Sequence, residues 1–584
     1  MSLSKTNILE LQFSLRQAVV NCSERCQYQS AKWAAELLDP LPDDELGPEE
    51  TSVTEVFDTQ TDPVEARLER DELPRFLMAK ALLDCHEPRR CAAVYLSTNS
   101  SEHTLPLRNN VLNISHSKLH GSVFRKTSQK GLFLASYALL LAGEKEKTEE
   151  MGHILGPSDT GAVINKQLAP LKRMLEIWFD QEPENRQSQG WLEYLYGLVL
   201  AKDRSHYLAI EWFMKSVLLY PWNWGAWLEL SCLIRDGQHL NQVQSKLQPH
   251  IMAFIFSVHC RQELHQSSEA LLSEISQLQT IFPNSLFLQG QRALVFYRMK
   301  DFHAARALFS SMLVSSPLCL DFLAHYSNIL HTLKAPSQLA FITHLGTSIS
   351  RHRPETCIAT GNYYSLIHRP SSAIQSFRLA LHLDRNFAAA WTLLGHEYYK
   401  LENSHASIEA YRRAVEGDRK DYRALVGLGV VYEGLEMRSY ALHYYRRAVA
   451  LRPNDAEVWE MMGACLMGME RVEQAIGALK RGVACCGSGA GHDPESEFQA
   501  KCRRVEILFQ LARAYEKVQE RGEAVKCLET CLADSDRNEY LGNLDDPLQF
   551  KIISVLGQAR LLLTQWTGAD GDDTGARYLE DQAD

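Results

Sequence analysis

A 34-residue period runs without interruption through residues 289–479, and it constrains the fold of this chain more than any other feature. Gln289, Leu323, Cys357, Trp391, Leu425 and Trp459 are each 34 residues from the next. Four positions on come Ala293, Ser327, Gly361, Gly395, Gly429 and Gly463, all small. Three beyond those lie Phe296, Leu330, Tyr364, Tyr398, Tyr432 and Leu466, all large and apolar or aromatic. Later in the unit Phe309, Phe377, Tyr411 and Tyr445 share a phase, with Met312, Ala380, Ala414 and Ala448 three residues after them. Residues four apart lie on one face of a helix. A small residue there lets a second helix approach while large neighbours fill the space around it. One such helix pair cannot bury its apolar face alone, so copies must stack. Ordinary amphipathic helices in a globular domain carry no fixed phase of this kind.

The pattern is that of the tetratricopeptide repeat. The expected fold is therefore all-α, a superhelical solenoid of stacked antiparallel helix pairs. Length agrees, because 584 residues exceed what one compact core organises. The same signature reappears from Trp191 with Gly197, Leu200, Ala209 and Phe213, and slips in phase between Trp227 and Ile255, where a shortened or distorted pair is expected around 238–248. After a break at 487–494 a further unit carries Leu508, Ala512, Tyr515, Ala524 and Leu528. The expected organisation is N-terminal helices at 1–38 (one long helix or a pair) and an acidic, proline-rich linker at 39–63. An irregular N-terminal repeat half follows at 64–285, with a polar loop or insertion at 97–130, and then a regular superhelix at 286–535. A capping helix at 536–566 and a disordered acidic tail at 567–584 complete it.

Composition removes several function classes. The net charge of −11 supplies no basic excess for phosphates, so no nucleic-acid partner is expected. No run of 18 apolar residues exists, so no membrane partner is expected, and residues 1–10 are too polar for a signal peptide. The fourteen cysteines scatter through apolar helical positions, as buried thiols do in a reducing compartment. Cys22 and Cys26, and the adjacent Cys485 and Cys486, lack a second ligand pair at zinc spacing. Phosphate-loop, HExxH and GxSxG motifs are absent. Neither an enzyme nor a cofactor is expected.

What remains is surface. The first helix of each pair lines the inner groove of such an array, a common seat for an extended peptide. Helix-face geometry puts Asn328 and His331, Asn362 and Ser365, Thr392, His396 and Tyr399, Arg423 and Glu433, and Glu457 and Glu460 on that face. Two successive asparagines there suit a peptide backbone, and the glutamates suit an arginine.

Several stretches go beyond the generic repeat. Pro221-Trp-Asn-Trp-Gly-Ala-Trp-Leu-Glu229, Gly361-Asn-Tyr-Tyr-Ser-Leu366, Ala390-Trp-Thr-Leu-Leu-Gly-His-Glu-Tyr399, Asp421-Tyr-Arg-Ala-Leu-Val-Gly-Leu-Gly429 and Leu451-Arg-Pro-Asn-Asp455 resemble the subunit 8 family of the anaphase-promoting complex (cyclosome). That resemblance extends from about residue 5 to 535. It implies a non-catalytic scaffold of a mitotic ubiquitin ligase, found in nucleus and cytoplasm. It also implies a homodimer through the N-terminal repeats, stacking on other repeat subunits and on platform subunits. The C-terminal groove would receive the arginine-containing C-box peptide of an activator, with Asn328, Asn362, His396, Tyr399 and Glu433 as the contact residues. A competing account is an adaptor for the acidic C-termini of chaperones, which needs a lysine/arginine clamp where asparagine, tyrosine and glutamate stand. A third account, an enzyme carrying a repeat array, finds no stretch able to hold a catalytic domain.

Overall fold

A computed structural model describes residues 5–38, 62–96, 127–151, 164–180, 187–266, 268–486, 494–536 and 547–567. The linker at 39–63 (but for its last two residues), most of the 97–130 stretch, nearly all of the 487–494 break and the tail from 568 lie outside them. Among the described residues there are twenty-seven α-helices and no strand, the all-α repeat architecture expected. No helix among them is long and apolar enough to cross a membrane. The chain divides into two compact units, Met1–Leu264 with Glu269–Gln291, and His265–Ser268 with Arg292–Asp584.

In the first unit the N-terminal stretch is a pair, Lys5–Glu24 and Tyr28–Leu38. It folds back on repeats nearly two hundred residues away. Trp33 stacks on Trp224 with ring centroids 4.4 Å apart, and Phe287 meets both edge-on. Arg25, buried, lies over the Trp191 ring at 4.6 Å and donates to Gln189 Oε1. The helix Pro63–Asp84 contributes two carboxylates to the start of Gln129–Met151: Glu72 accepts from the Ser128 amide at 3.0 Å, and buried Glu65 accepts from the Gln129 amide. Carboxylates suit the partial positive charge of a helix N-terminus. The slip in phase after Trp227 is a helix of only eight residues, Gly237–Gln244.

In the second unit the period has a direct steric cause. A Cβ on Gly361 would lie 2.4 Å from Phe377, one on Gly395 2.6 Å from Tyr411, one on Gly429 2.3 Å from Tyr445 and one on Gly463 2.6 Å from Leu479. Each small residue is thus paired with a large one sixteen positions later, on the second helix of its own pair. Tyr411 is gripped from both sides, since Gly427 of the next pair is as close to its ring as Gly395. The result is one continuous core from Ala324 to Ala478.

Two further devices repeat. Trp391 and Trp459 donate through Nε1 to the carbonyls of Arg385 and Pro453, six residues upstream, and Trp227 does the same to Pro221 in the first unit. Arg413 and Arg481 then lie over the Trp391 and Trp459 rings at 5.0 and 5.3 Å. Each first helix also ends on a residue in the left-handed region, at Lys300, Lys334, His368, Glu402, Glu436 and Glu470. At Glu436 the following amide, Met437 N, reaches back to the Tyr432 carbonyl, closing a six-residue helix-end motif. None of the six is glycine. Beyond the regular pairs, Pro547–Thr567 lays Leu556 and Ala559 against Val505, Leu508, Phe509, Ala512, Leu528 and Cys531.

Candidate binding face of the second unit

The inner-facing residues of the second unit form a polar seam along the first helices Leu323–Thr332, Pro354–Leu366, Ala388–Lys400, Tyr422–Gly434 and Ala456–Gly468. Sitting 34 residues apart, equivalent side chains of adjacent pairs meet. Asn362 donates through Nδ2 to Asn328 Oδ1 at 2.7 Å and to Ser327 Oγ at 2.9 Å. Both of its amide hydrogens are thereby used, and both asparagines are buried. The Asn362 donors are thus used within the chain, where they tie two pairs together.

The next step of the seam centres on Ser365. Its hydroxyl donates to Glu397 Oε1 at 2.7 Å and accepts from Lys400 Nζ at 2.8 Å, with His331 Nε2 at 3.3 Å. Lys400 also reaches Glu397 directly at 2.7 Å. A hydroxyl has one proton and two lone pairs, so His331 donates here through Nε2. Burial, with Lys400 nearby, pushes its pKa below the usual histidine range. His396 follows the same logic: its Nδ1 is 2.6 Å from the Tyr411 hydroxyl. Burial, reinforced by Arg423, lowers its pKa to about 4. Burial raises that of Tyr411, so the phenol keeps its proton to donate.

Further along, Thr392 donates to Asp421 Oδ2 at 2.7 Å, and Asp421 Oδ1 caps its own helix at the Arg423 amide. Tyr445 donates to Glu433 Oε2 at 2.8 Å, leaving that carboxylate a second oxygen for a ligand cation. Tyr399 is the most open of the five expected contacts, with 45% of its surface exposed. Glu433 is half-buried.

Glu457 and Glu460, read from sequence as receptors for a ligand arginine, have partners inside the chain. Glu457 pairs with Arg503 at 2.7 Å and Lys300 at 3.4 Å, and Glu460 accepts from Gln510 at 3.0 Å. Sequence reasoning missed Glu397 and Lys400 although they share the helix of His396. It missed Tyr297 and Lys300 entirely. The signal for Lys300 was present in its phase, 34 residues before Lys334 at the same turn. Among the described residues no cluster of histidine, cysteine or acidic side chains could hold a metal, and all fourteen cysteines are free thiols.

Comparison with known proteins adds the lineage. Residues 10–293 match the family model described as anaphase promoting complex subunit 8 / Cdc23, and residues 388–421 and 505–533 match that of the tetratricopeptide repeat. The chain is 34% identical over 406 residues to "Anaphase-promoting complex subunit 8" of Arabidopsis thaliana, covering 65% of this chain and 64% of that one. It is 28% identical over 431 residues to the protein of the same name from Dictyostelium discoideum, covering 66% and 67%. The matched stretch thus spans about two thirds of these relatives' length. A solved structure described as the APC/C hetero-tetramer Cut9-Hcn1 aligns over 97% of both chains with a TM-score of 0.53 at 16% identity, a likeness of fold. By these matches the chain is a tetratricopeptide-repeat protein similar to the anaphase-promoting complex subunit 8 / Cdc23 family.

Proposed function

We propose that this chain is a non-catalytic scaffold subunit of the anaphase-promoting complex ubiquitin ligase, working in nucleus and cytoplasm. The observation that carries the reading is the match to a subunit 8 relative over 406 residues of a chain whose described residues are helices in series. Such arrays expose long curved faces and hold partners by surface. In this reading the N-terminal repeats make the homodimer, outer faces meet other repeat subunits and platform subunits, and the second unit's inner face takes the activator's C-box peptide. Tyr399 and Glu433, at the same position of successive repeats, touch the peptide: an open ring and a carboxylate suit an arginine by cation–π and charge-assisted bonding. His396 and the Asn328–Asn362 pair hold the wall behind them.

The chaperone-tail reading needs paired free cations. Here Lys400 is engaged by Glu397, and Arg423 lies by Asp421 and Tyr297, which counts against it. The test is calorimetric titration of the full chain with a C-box peptide. Tyr399→Ala with Glu433→Gln weakens binding at least tenfold while the circular dichroism stays that of wild type. Unchanged affinity removes the peptide from this face.

A further inference from the structure

Stacked repeats ordinarily contact only their neighbours. Among the described residues the second unit departs from that rule around the turn 297–300. At the end of the helix Leu286–Arg298, Tyr297 receives a hydrogen bond from Arg423 Nη1 at 2.9 Å, 126 residues away. The Arg298 carbonyl accepts from Arg452 Nη2 at 2.6 Å. Lys300 Nζ reaches Asp455 Oδ1 at 2.9 Å and Glu457 Oε2 at 3.4 Å. His265 adds a second point. Its Nε2 lies 3.1 Å from the Lys420 carbonyl, its Nδ1 faces Arg298, and its ring meets Tyr422 edge-on. A carbonyl only accepts, so Nε2 carries the proton and Nδ1 accepts from Arg298.

We propose that the turn 297–300, with His265 beside it, is an internal clasp. It grips the starts of the helices Tyr422–Gly434 and Ala456–Gly468 and fixes the curvature of the unit between repeats four apart. The contacts have the form of ligand recognition: a tyrosine hydroxyl, a main-chain carbonyl and a lysine ammonium in consecutive register, each met by a side chain of the facing helices. Asp455 is the anchor. Its side chain is 3% exposed, and it also caps its own helix at the Glu457 amide and pairs with Arg452 at 3.6 Å. Lys300 is placed by its left-handed backbone, φ 66°, which turns the chain there. The clasp holds the starts of these two helices and leaves Glu433, near the end of the helix Tyr422–Gly434, to a peptide. This inference stands whether or not the peptide is a C-box.

Hydrogen exchange on the full chain tests it. In Tyr297→Phe/Lys300→Ala the amides of 295–304 exchange at least tenfold faster, and so do those at 421–428 and 455–461. Residues 356–366 keep wild-type protection, and Lys300→Arg retains it everywhere. Raising NaCl from about 50 to 500 mM on the unaltered protein accelerates the same distant segments, since the exposed part of the pairing is screened, and so reads the coupling without any substitution. Faster exchange confined to 295–304, or no salt response at 421–428 and 455–461, overturns the clasp.

Discussion

Asn362 and Asn328 stand 34 residues apart and share a hydrogen bond of 2.7 Å, each the same position of its own repeat. A repeating sequence placed two amides side by side, and burial made each the other's partner. Replacing Asn362 by alanine leaves Asn328 Oδ1 and the Ser327 hydroxyl without that donor. Because unpaired buried polar groups cost about 1–3 kcal/mol, Asn362→Ala lowers the urea midpoint accordingly. Asn362→Asp lowers it further, by facing a carboxylate with Asn328 Oδ1. A midpoint within error of wild type for both variants shows that the bond contributes nothing.

The small-to-large pairing predicts opposite outcomes for two glycines. Gly429→Ala drives a methyl to 2.3 Å from the buried Tyr445 ring and costs about 1–3 kcal/mol. Gly477, inside the helix Val472–Cys486, has nothing within 4 Å of an added Cβ. Gly477→Ala therefore stabilises by about 0.4–1 kcal/mol through the unfolded chain. Thermal melts of the two variants separate on either side of wild type.

The turn residues carry strain that glycine relieves. Glu436 sits at φ 60° with its side chain exposed, a conformation costing an L-residue about 1 kcal/mol. Glu436→Gly gains about 0.5 kcal/mol after the entropy of glycine's looser unfolded chain is subtracted. Glu436→Val, branched at Cβ, loses about 1 kcal/mol or more. Equal denaturation midpoints for the two would contradict the strain.

Acid destabilises the second unit through histidines before its carboxylates. Burial, aided by Arg298, holds His265 at about 2, and burial with Arg423 holds His396 at about 4, against 6.5 for the unperturbed ring. Below pH 6.5 the unfolded chain takes up protons that the folded one refuses. Stability is therefore complete above that pH and falls as pH drops, by up to about 1.4 kcal/mol per unit and per group. The fall for His396 levels off near pH 4. Asp455 and Glu457 add their loss only lower. Burial alone would raise them, but Lys300 with Arg452, and Arg503 with Lys300, more than reverse it. Urea titrations at pH 7 and pH 5 show a smaller difference for His396→Gln than for wild type.

Local register was legible in the residues, and distant contact was not. Gly361, Gly395 and Gly429 announce close helix approach because only a small side chain fits beside Phe377, Tyr411 and Tyr445, and a fixed period tells which residues are neighbours. The inner face of the first helices was legible for the same reason. What each inner residue does was not, since helix geometry gives a direction and not a partner. Asn362 meets Asn328, a contact the helix-face argument did not give. The Lys300–Asp455 pair spans 155 residues and depends on the accumulated curvature of four repeats, which no single repeat encodes. The left-handed turns escaped notice because the residues there are lysine, histidine and glutamate, where a glycine would have marked them.

The central claim is that this chain holds other polypeptides within one assembly. Affinity purification of the tagged full chain from mitotic cells, read by quantitative mass spectrometry, tests it most directly. Anaphase-promoting complex subunits are recovered in fixed ratio to the chain. Their absence, with the tagged chain folded and expressed at its normal level, would contradict it.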